Sequence, residues 1–481
     1  MSPREVIVVG YGMAGARLAE EIRRRDPAAE RVALTVLGAE PHPAYNRVLL
    51  SSVVAGTMRG ESIVLHAPGW AEDNAVDLRL DARVAGIDRS ARAVTLADGT
   101  TLGYDALVLA TGATAWVPPV DGLRTDDGSP AQGVVPFRTM ADCARIVDAA
   151  RPGAPVAVLG GGLLGIEAAR GLAGRGCLVT VVHPVAHLME RQLDQDAGRV
   201  LARHLSTLGI EFRLGANACG YVPGDGLKLD DGGHVQADLV VVSAGVRADT
   251  TLAAAAGIAV DRGIVVDDAL RTSDPRVHAI GDCAQHPGTV AGVVQPAWEQ
   301  AAVLADLLTG TDVSARYRGT PVVTRLKARD VDLAALGDVH ARDGHDGAEV
   351  VCLTDAARGR YAKLAIREER VAGAILLGVP DAAAMIIQHF DHGIPVPDDR
   401  LALLLGRAMP RGAPVAASPA DLPAGAVVCR CNSVSKARLV AAWRAGATDA
   451  AALASATRAT TGCGGCRDAV LGIAEWLSAT S

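Results

Sequence analysis

Four cysteines stand close together near the end of this 481-residue sequence. They read Cys429-x-Cys431 and, after a longer interval, Cys463-x-x-Cys466. Two short-spaced pairs brought together present four thiolates, which suit iron–sulfur or zinc equally on charge grounds. Zinc sites usually take C-x2-C twice, and C-x-C at one end is less common. Gly462, Gly464 and Gly465 surround the second pair. They would free backbone N–H groups to point at sulfur, which raises the potential of an iron–sulfur cluster.

The second kind of chemistry lies in glycine spacing. Gly10, Gly12 and Gly15 form G-x-G-x-x-G after the β-branched run at 6–9. A helical pattern with Ala14, Leu18 and Ile22 on one face follows, then a strand at 32–37. The three glycines serve in turn the tight turn, the close approach of a pyrophosphate and the close helix–strand contact. The phosphates would sit on free N–H groups at the helix N-terminus. The arrangement returns at Gly160, Gly162 and Gly165, with a strand at 156–159 before it and another at 178–182 after its helix. Both copies also end alike. A hairpin signal at 94–100 leads to a strand at 104–109 and Ala110-Thr111-Gly112; its counterpart at 227–232 leads to 237–242 and Ser243-Ala244-Gly245. The duplication predicts two related dinucleotide-binding halves.

Other elements must position these residues. A polar, proline-bearing stretch at 117–130 reads as a domain crossing. Residues 277–286 read as a strand ending in Gly281-Asp282, and Pro296 is expected to open a helix running to about Leu308. Strands at 350–353, 361–366 and 374–377 with a helix at 382–390 predict a compact α+β module. Residues 405–426 are proline- and alanine-rich without periodicity and read as a semi-rigid linker. Helices are expected at 435–444 and 468–476. The fold class is therefore α/β: two Rossmann-like domains, an α+β C-terminal module and a small helical cysteine-bearing domain. The expected boundaries are 1–118 and 246–312 for the first dinucleotide domain, 119–245 for the second, 313–404 for the module, 405–426 for the linker and 427–481 for the tail.

Composition excludes some classes. The formal net charge of −7 argues against a dedicated nucleic-acid binder. A membrane-spanning helix needs roughly 20 predominantly apolar residues in a row. No uncharged apolar run approaches that length, so no membrane span is expected. The N-terminus enters a strand at once and shows no targeting segment. Bunched cysteines without an export signal point to a metal centre in a cytoplasmic protein rather than to disulfides.

The stretch Gly38-Ala39-Glu40-Pro41-His42-Pro43-Ala44-Tyr45-Asn46-Arg47-Val48-Leu49-Leu50-Ser51 and the stretch His187-Leu188-Met189-Glu190-Arg191-Gln192-Leu193-Asp194 carry a resemblance. Residues 1–310 resemble the FAD-dependent pyridine nucleotide–disulfide oxidoreductase superfamily, in its non-disulfide branch. They are similar to the N-terminal part of NAD(P)H-dependent nitrite reductase large subunits. The tail resembles the bacterioferritin-associated ferredoxin-like [2Fe-2S] domain of the same enzymes. One departure stands out. The sequence holds no sirohaem-type C-x5-C-x3-C set, and Cys466 is its last cysteine. It thus resembles an electron-input half made separately, like the electron-transfer subunits of assimilatory nitrate reductases.

The resemblance implies specific roles. The first half would hold FAD, with Gly10, Gly12 and Gly15 on its pyrophosphate and Glu40 on the adenosine ribose. Thr111, Gly112 and Gly281 would lie beside the flavin cofactor, and Asp282 would accept from its ribityl chain. Arg47 would sit near the isoalloxazine edge as a catalytic cation, and Trp298 and Glu299 would approach the ring. Gly160, Gly162 and Gly165 would hold NAD(P)H, with Glu167 orienting the nicotinamide. His183, where a ribose carboxylate is usual, leaves a modest tilt to NADH. Residues 38–60 lack cysteine, which disfavours thiol-relay classes. Cys283 reads as a packed thiol. The expected chemistry is hydride transfer from nicotinamide C4 to flavin N5, carried by positioning. A [2Fe-2S] cluster on Cys429, Cys431, Cys463 and Cys466 would then relay single electrons to a nitrate or nitrite reductase catalytic subunit. The alternatives are a ferredoxin or rubredoxin reductase, a dioxygenase reductase component, or a flavoprotein whose tail is a redox sensor or docking module.

Overall fold

The computed structural model describes residues 2–406, 422–429, 432, 434–461 and 466–480. Two five-stranded parallel sheets are built on one plan. The first runs Val277–Ala279, Ala106–Leu109, Arg4–Val9, Val32–Leu37, Val76–Arg79 across the sheet. The second runs Ile210–Leu214, Leu178–His183, Pro155–Leu159, Leu239–Val242, Val134–Pro136. Val6, Ile7, Val8 and Val9 are all buried, as a central parallel strand covered on both faces requires. Each such side chain contributes roughly 1.5–3 kcal/mol on full burial.

Each central strand turns at a glycine into a helix, Met13–Arg25 in the first half and Leu163–Gly174 in the second. Arg23, Arg24 and Arg25 close the first helix, where cations suit the dipole. Arg25 also reaches Asp306 on the Val294–Thr309 helix, Nε to Oδ1 2.6 Å, and so pairs the two helices. That second helix starts at Val294, just ahead of the expected Pro296. Proline is tolerated there because N–H groups of a first turn have no partner within the helix.

A five-stranded antiparallel sheet follows in the order Val323–Arg325, Leu333–Gly337, Arg370–Leu377, Arg360–Arg367, Glu349–Asp355. The Pro380–His392 helix covers one face, with Ile386 buried. Several contacts fasten the module to the second half, Arg170 to Asp330 among them, and one carboxylate does two jobs. Asp194 Oδ1 caps the Gln195–Thr207 helix by accepting the Ala197 N–H at 3.0 Å. Its Oδ2 accepts from Tyr361 Oη at 2.8 Å and from Lys363 Nζ at 3.0 Å.

Much of the expected linker, residues 407–421, lies outside the described residues. In the tail, Val427–Cys429 pairs with Val434–Ser435, and the helices Lys436–Arg444, Ala450–Thr457 and Arg467–Thr480 follow. Two of these helices overlap the expected pair. The Ala450–Thr457 helix is an addition, an alanine-rich run capped by Asp449 through the Ala452 N–H at 2.7 Å.

Candidate functional site

The two glycine loops are near-copies. Gly10 and Gly160 have φ of 112° and 114°, in the left-handed region that glycine alone takes readily. A Cβ on Gly10 would lie 2.2 Å from the Ala110 carbonyl oxygen, and one on Gly160 would lie 2.2 Å from that of Ser243. A Cβ on Gly15 would meet the Gly10 oxygen at 1.9 Å, and one on Gly165 the Gly160 oxygen at 2.0 Å. The middle glycines differ in kind. Gly162 has nothing within 4 Å of a Cβ position, and Gly12 has only Arg47 Nε, at 3.9 Å. The outer glycines hold the turn, and the middle one leaves room above the helix N-terminus for phosphate.

Around the first loop the structure gathers several of the expected residues. Arg47 borders the open space at Gly12, which suits a cation facing phosphate. Its guanidinium pairs with Glu40, donates to the Arg138 carbonyl at 3.3 Å, and lies 4.9 Å from the Tyr45 ring centroid. Tyr45 donates to Glu40 at 2.8 Å, and burial pushes its phenol up to about 12 against the lowering charge of Arg47. Arg138, unforeseen, pairs with Asp282 at 2.7 Å. Asp282 follows Gly281, whose φ is 77° and where an added Cβ would lie 2.8 Å from that of Ala14, so a side chain there has no room. Gly112 is also left-handed, and Thr111 Oγ1 donates to the Asp249 carbonyl at 2.7 Å. Cys283 is fully buried with its thiol on the Leu109 and Ile280 carbonyls, and burial pushes its pKa up. It is the packed thiol expected.

In the second half, Glu167 is 4% exposed and engaged at both oxygens. It accepts from Ser51 Oγ at 2.6 Å and from the Lys327 N–H at 3.0 Å, with Lys327 Nζ 3.7 Å away. Lys327 Nζ also donates to the Val48 carbonyl at 2.7 Å. Glu167 thus ties the second half to the first and to the module. Ser51 and Lys327 were not singled out in the sequence, because no local pattern links positions so far apart.

His183 ends the strand where the resemblance places the nucleotide's ribose, and both of its ring nitrogens are engaged within the protein. It is 5% exposed, its Nδ1 accepts the Gly161 N–H at 3.1 Å, and its Nε2 faces Glu190 Oε2 at 3.1 Å. The carboxylate at this strand end is therefore that of Glu190, whose side chain is 35% exposed. The hydrogen bond from His183 holds Glu190 below the ordinary carboxylate range.

Trp298 does not line an open pocket. It is 3% exposed in a cluster with Met13 and Val294 of the first half and Cys429, Leu439, Cys466 and Val470 of the tail. Its Nε1 is buried without a hydrogen-bond partner among the described residues. Cys429 and Cys466 are 1% and 7% exposed. Asn432 Nδ2 donates toward Cys429 Sγ at 3.7 Å, and the Thr460 N–H donates to Cys466 Sγ at 3.2 Å. Cys431, Cys463 and the glycines beside Cys463 lie outside the described residues. Buried sulfurs met by N–H donors fit thiolate ligation of an iron–sulfur cluster. The open middle glycines likewise fit two dinucleotides.

Residues 4–301 match the pyridine nucleotide-disulphide oxidoreductase family, residues 322–388 the rubredoxin NAD+ reductase C-terminal domain, and residues 427–476 the BFD-like [2Fe-2S] binding domain. The chain is 34% identical over 475 residues to nitrite reductase [NAD(P)H] of Bacillus subtilis (strain 168), covering 98% of this chain and 57% of that protein. It is 32% identical over 482 residues to the assimilatory nitrate reductase electron transfer subunit of the same organism, covering 99% and 60%. The chain thus spans less than two thirds of the length of these relatives. The crystal structure of the ferredoxin reductase for the CYP199A2 system from Rhodopseudomonas palustris superposes with a TM-score of 0.69 at 28% identity, over 78% of this chain and 91% of that one. Among the described residues no helix is long and apolar enough to cross a membrane. With two like-built glycine loops and a tail that buries Cys429 and Cys466, the chain belongs to the pyridine nucleotide-disulphide oxidoreductase family, whose members use FAD and NAD(P)H, and carries a BFD-like [2Fe-2S] domain.

Proposed function

We propose that the protein takes electrons from NADH and delivers them to the catalytic subunit of an assimilatory nitrate or nitrite reductase. The observation that carries this reading is coverage. Likeness to the nitrate reductase electron transfer subunit extends over 99% of the chain and takes in the cysteine-bearing tail, whereas likeness to the ferredoxin reductase covers 78%. Each NADH gives up two electrons and one proton in becoming NAD+, and an oxidised acceptor protein takes the electrons one at a time. When bound, FAD would supply two-electron acceptance from NADH with release of single electrons, and a [2Fe-2S] cluster would carry them one at a time.

The chain's own residues position these groups. Gly10, Gly12 and Arg47 hold the flavin phosphates, and Asp282, steadied by Arg138, faces the sugar chain. Gly160 and Gly162 hold the NADH phosphates, Glu190 selects the ribose, and Glu167 fixes the relation of the two halves through Ser51 and Lys327. Cys429, Cys431, Cys463 and Cys466 hold the cluster. Anaerobic NADH oxidation tests the reading, with nitrate reductase, nitrite reductase, ferredoxin and rubredoxin supplied in turn. Turnover with a nitrate- or nitrite-reducing partner is expected. Turnover with ferredoxin or rubredoxin alone would instead make this a ferredoxin- or rubredoxin-type reductase.

A further inference from the structure

The tail meets the flavin half through a short loop, residues 458–461, that touches both sides of the seam. On the tail side, the Arg458 carbonyl accepts from Asn432 Nδ2, which also donates toward Cys429 Sγ at 3.7 Å. Further along the loop, the Thr460 N–H donates to Cys466 Sγ at 3.2 Å. On the body side, the Arg458 guanidinium pairs with Glu20, and the Thr461 carbonyl accepts from Asn46 Nδ2 at 2.5 Å. Asn46 immediately precedes Arg47 at the phosphate cradle.

Glu20 is set up to receive that guanidinium. Its side chain is 12% exposed on the Met13–Arg25 helix. His66 Nε2 lies 2.6 Å from its Oε1, and His66 Nδ1 lies 2.5 Å from the hydroxyl of Tyr11, inside the first glycine loop. Arg17 Nη1 lies 3.6 Å from Oε2, and the Arg17 guanidinium lies 5.6 Å from the Trp298 ring centroid. Burial works to raise the Glu20 carboxyl, but the His66 hydrogen bond and the charges of Arg458, His66 and Arg17 hold it below the ordinary range.

We propose that Glu20 and Asn46 form a seat for the 458–461 loop, and that this seat positions the cluster-bearing tail to receive electrons from the flavin half. Glu20 and Arg458 are positioning residues, acting through the loop that donates to Cys466 directly and meets Cys429 by way of Asn432. This rests on the electron-relay reading above. Electron tunnelling weakens steeply with distance, so a tail held loosely passes electrons slowly even when both groups are intact.

The test uses the full chain. Arg458 has φ of 65° at the end of the Ala450–Thr457 helix, a conformation that favours glycine, so Arg458→Gly removes the guanidinium without straining the backbone. In anaerobic stopped flow with NADH, Arg458→Gly is expected to leave flavin reduction unchanged and to slow cluster reduction by about tenfold or more. Iron, sulfide and the cluster's electron paramagnetic resonance signal stay unchanged. Arg458→Lys, which keeps the charge, recovers most of the rate. Wild-type cluster reduction in both Arg458→Gly and Glu20→Gln would overturn the proposal. A second measurement does not need the cluster: in Glu20→Gln, amides of 458–461 are expected to exchange hydrogen faster, and unchanged exchange would also overturn the seat. A wild-type protein holding zinc and no sulfide would sink the electron-relay reading instead.

Discussion

Gly161 donates its backbone N–H to Nδ1 of His183, 3.1 Å away, and this bond settles the chemistry of the second ring nitrogen. With Nδ1 accepting, a neutral imidazole carries its proton on Nε2 and offers it to Glu190 at 3.1 Å. The histidine therefore braces the glycine turn and orients a carboxylate, and the carboxylate is the group that can read a ribose. Two hydroxyls suit Glu190, and a 2′-phosphate is repelled by it. Glu190→Arg is expected to move the ratio of kcat/KM for NADPH over NADH upward by about tenfold or more, about 1.4 kcal/mol in transition-state terms. Steady-state kinetics with both nucleotides check it, and an unchanged ratio would place the selecting group elsewhere. His183→Glu would set two carboxylates together and remove the Gly161 acceptor, so it should weaken both nucleotides.

The second cradle separates folding from binding at two neighbouring glycines. A methyl on Gly165 runs into the Gly160 carbonyl at 2.0 Å, while one on Gly162 meets nothing within 4 Å. Gly165→Ala is therefore expected to lower the melting temperature. Gly162→Ala should leave melting and FAD content near wild type and raise the KM for NADH by filling the phosphate space. Thermal denaturation and NADH–dye kinetics on both variants distinguish the two.

Cys466→Ser should abolish the cluster and spare the flavin, because the sulfur belongs to the tail while the glycine turn of the proposed FAD cradle closes on Ala110 and on Gly10 itself, inside the first half. Iron and sulfide are expected to fall to background and FAD to stay bound. NADH-dependent reduction of a dye should persist, and delivery to the protein acceptor should stop. Retained delivery would take the cluster off the electron path.

His278 gives the flavin half an acid limit. It sits in the Val277–Ala279 strand at 5% exposure, and burial, with Arg4 and Arg271 nearby, pushes its imidazole down from 6.5 to about 4. The unfolded chain binds this proton at the higher pH, so the stabilisation is complete above about pH 6.5 and is lost as pH falls toward about 4. The difference of 6.5 less about 4 corresponds to about 3 kcal/mol. His278→Gln should flatten that part of the pH dependence, measured as the denaturant midpoint for FAD release at neutral and acid pH. Parallel curves for the two proteins would remove His278 as the cause.

Much of this architecture was legible because its signals are local. A strand, a glycine turn and a helix all lie between Arg4 and Arg25, and the repeat of that unit announced the duplication before any contact was known. The tail's cysteine pairs were equally plain. Arg138, Lys327 and Glu20 were not, since each takes its role from a partner distant along the chain: Asp282, Glu167 and Arg458. His183 shows the same limit. Its place at the strand end was readable, but periodicity says nothing about which way a ring turns, and here Nδ1 turns to the Gly161 N–H.

Asp194 caps a helix with one oxygen and grips Tyr361 and Lys363 with the other. A cap is ordinarily a local affair, and here it doubles as a rivet between two bodies. Sliding the antiparallel sheet over the nucleotide half would uncork the Gln195–Thr207 helix at its first turn. A displacement of the sheet against the nucleotide half would therefore be felt at once in the helix, and through Lys327, which also holds the Val48 carbonyl, in the flavin half as well.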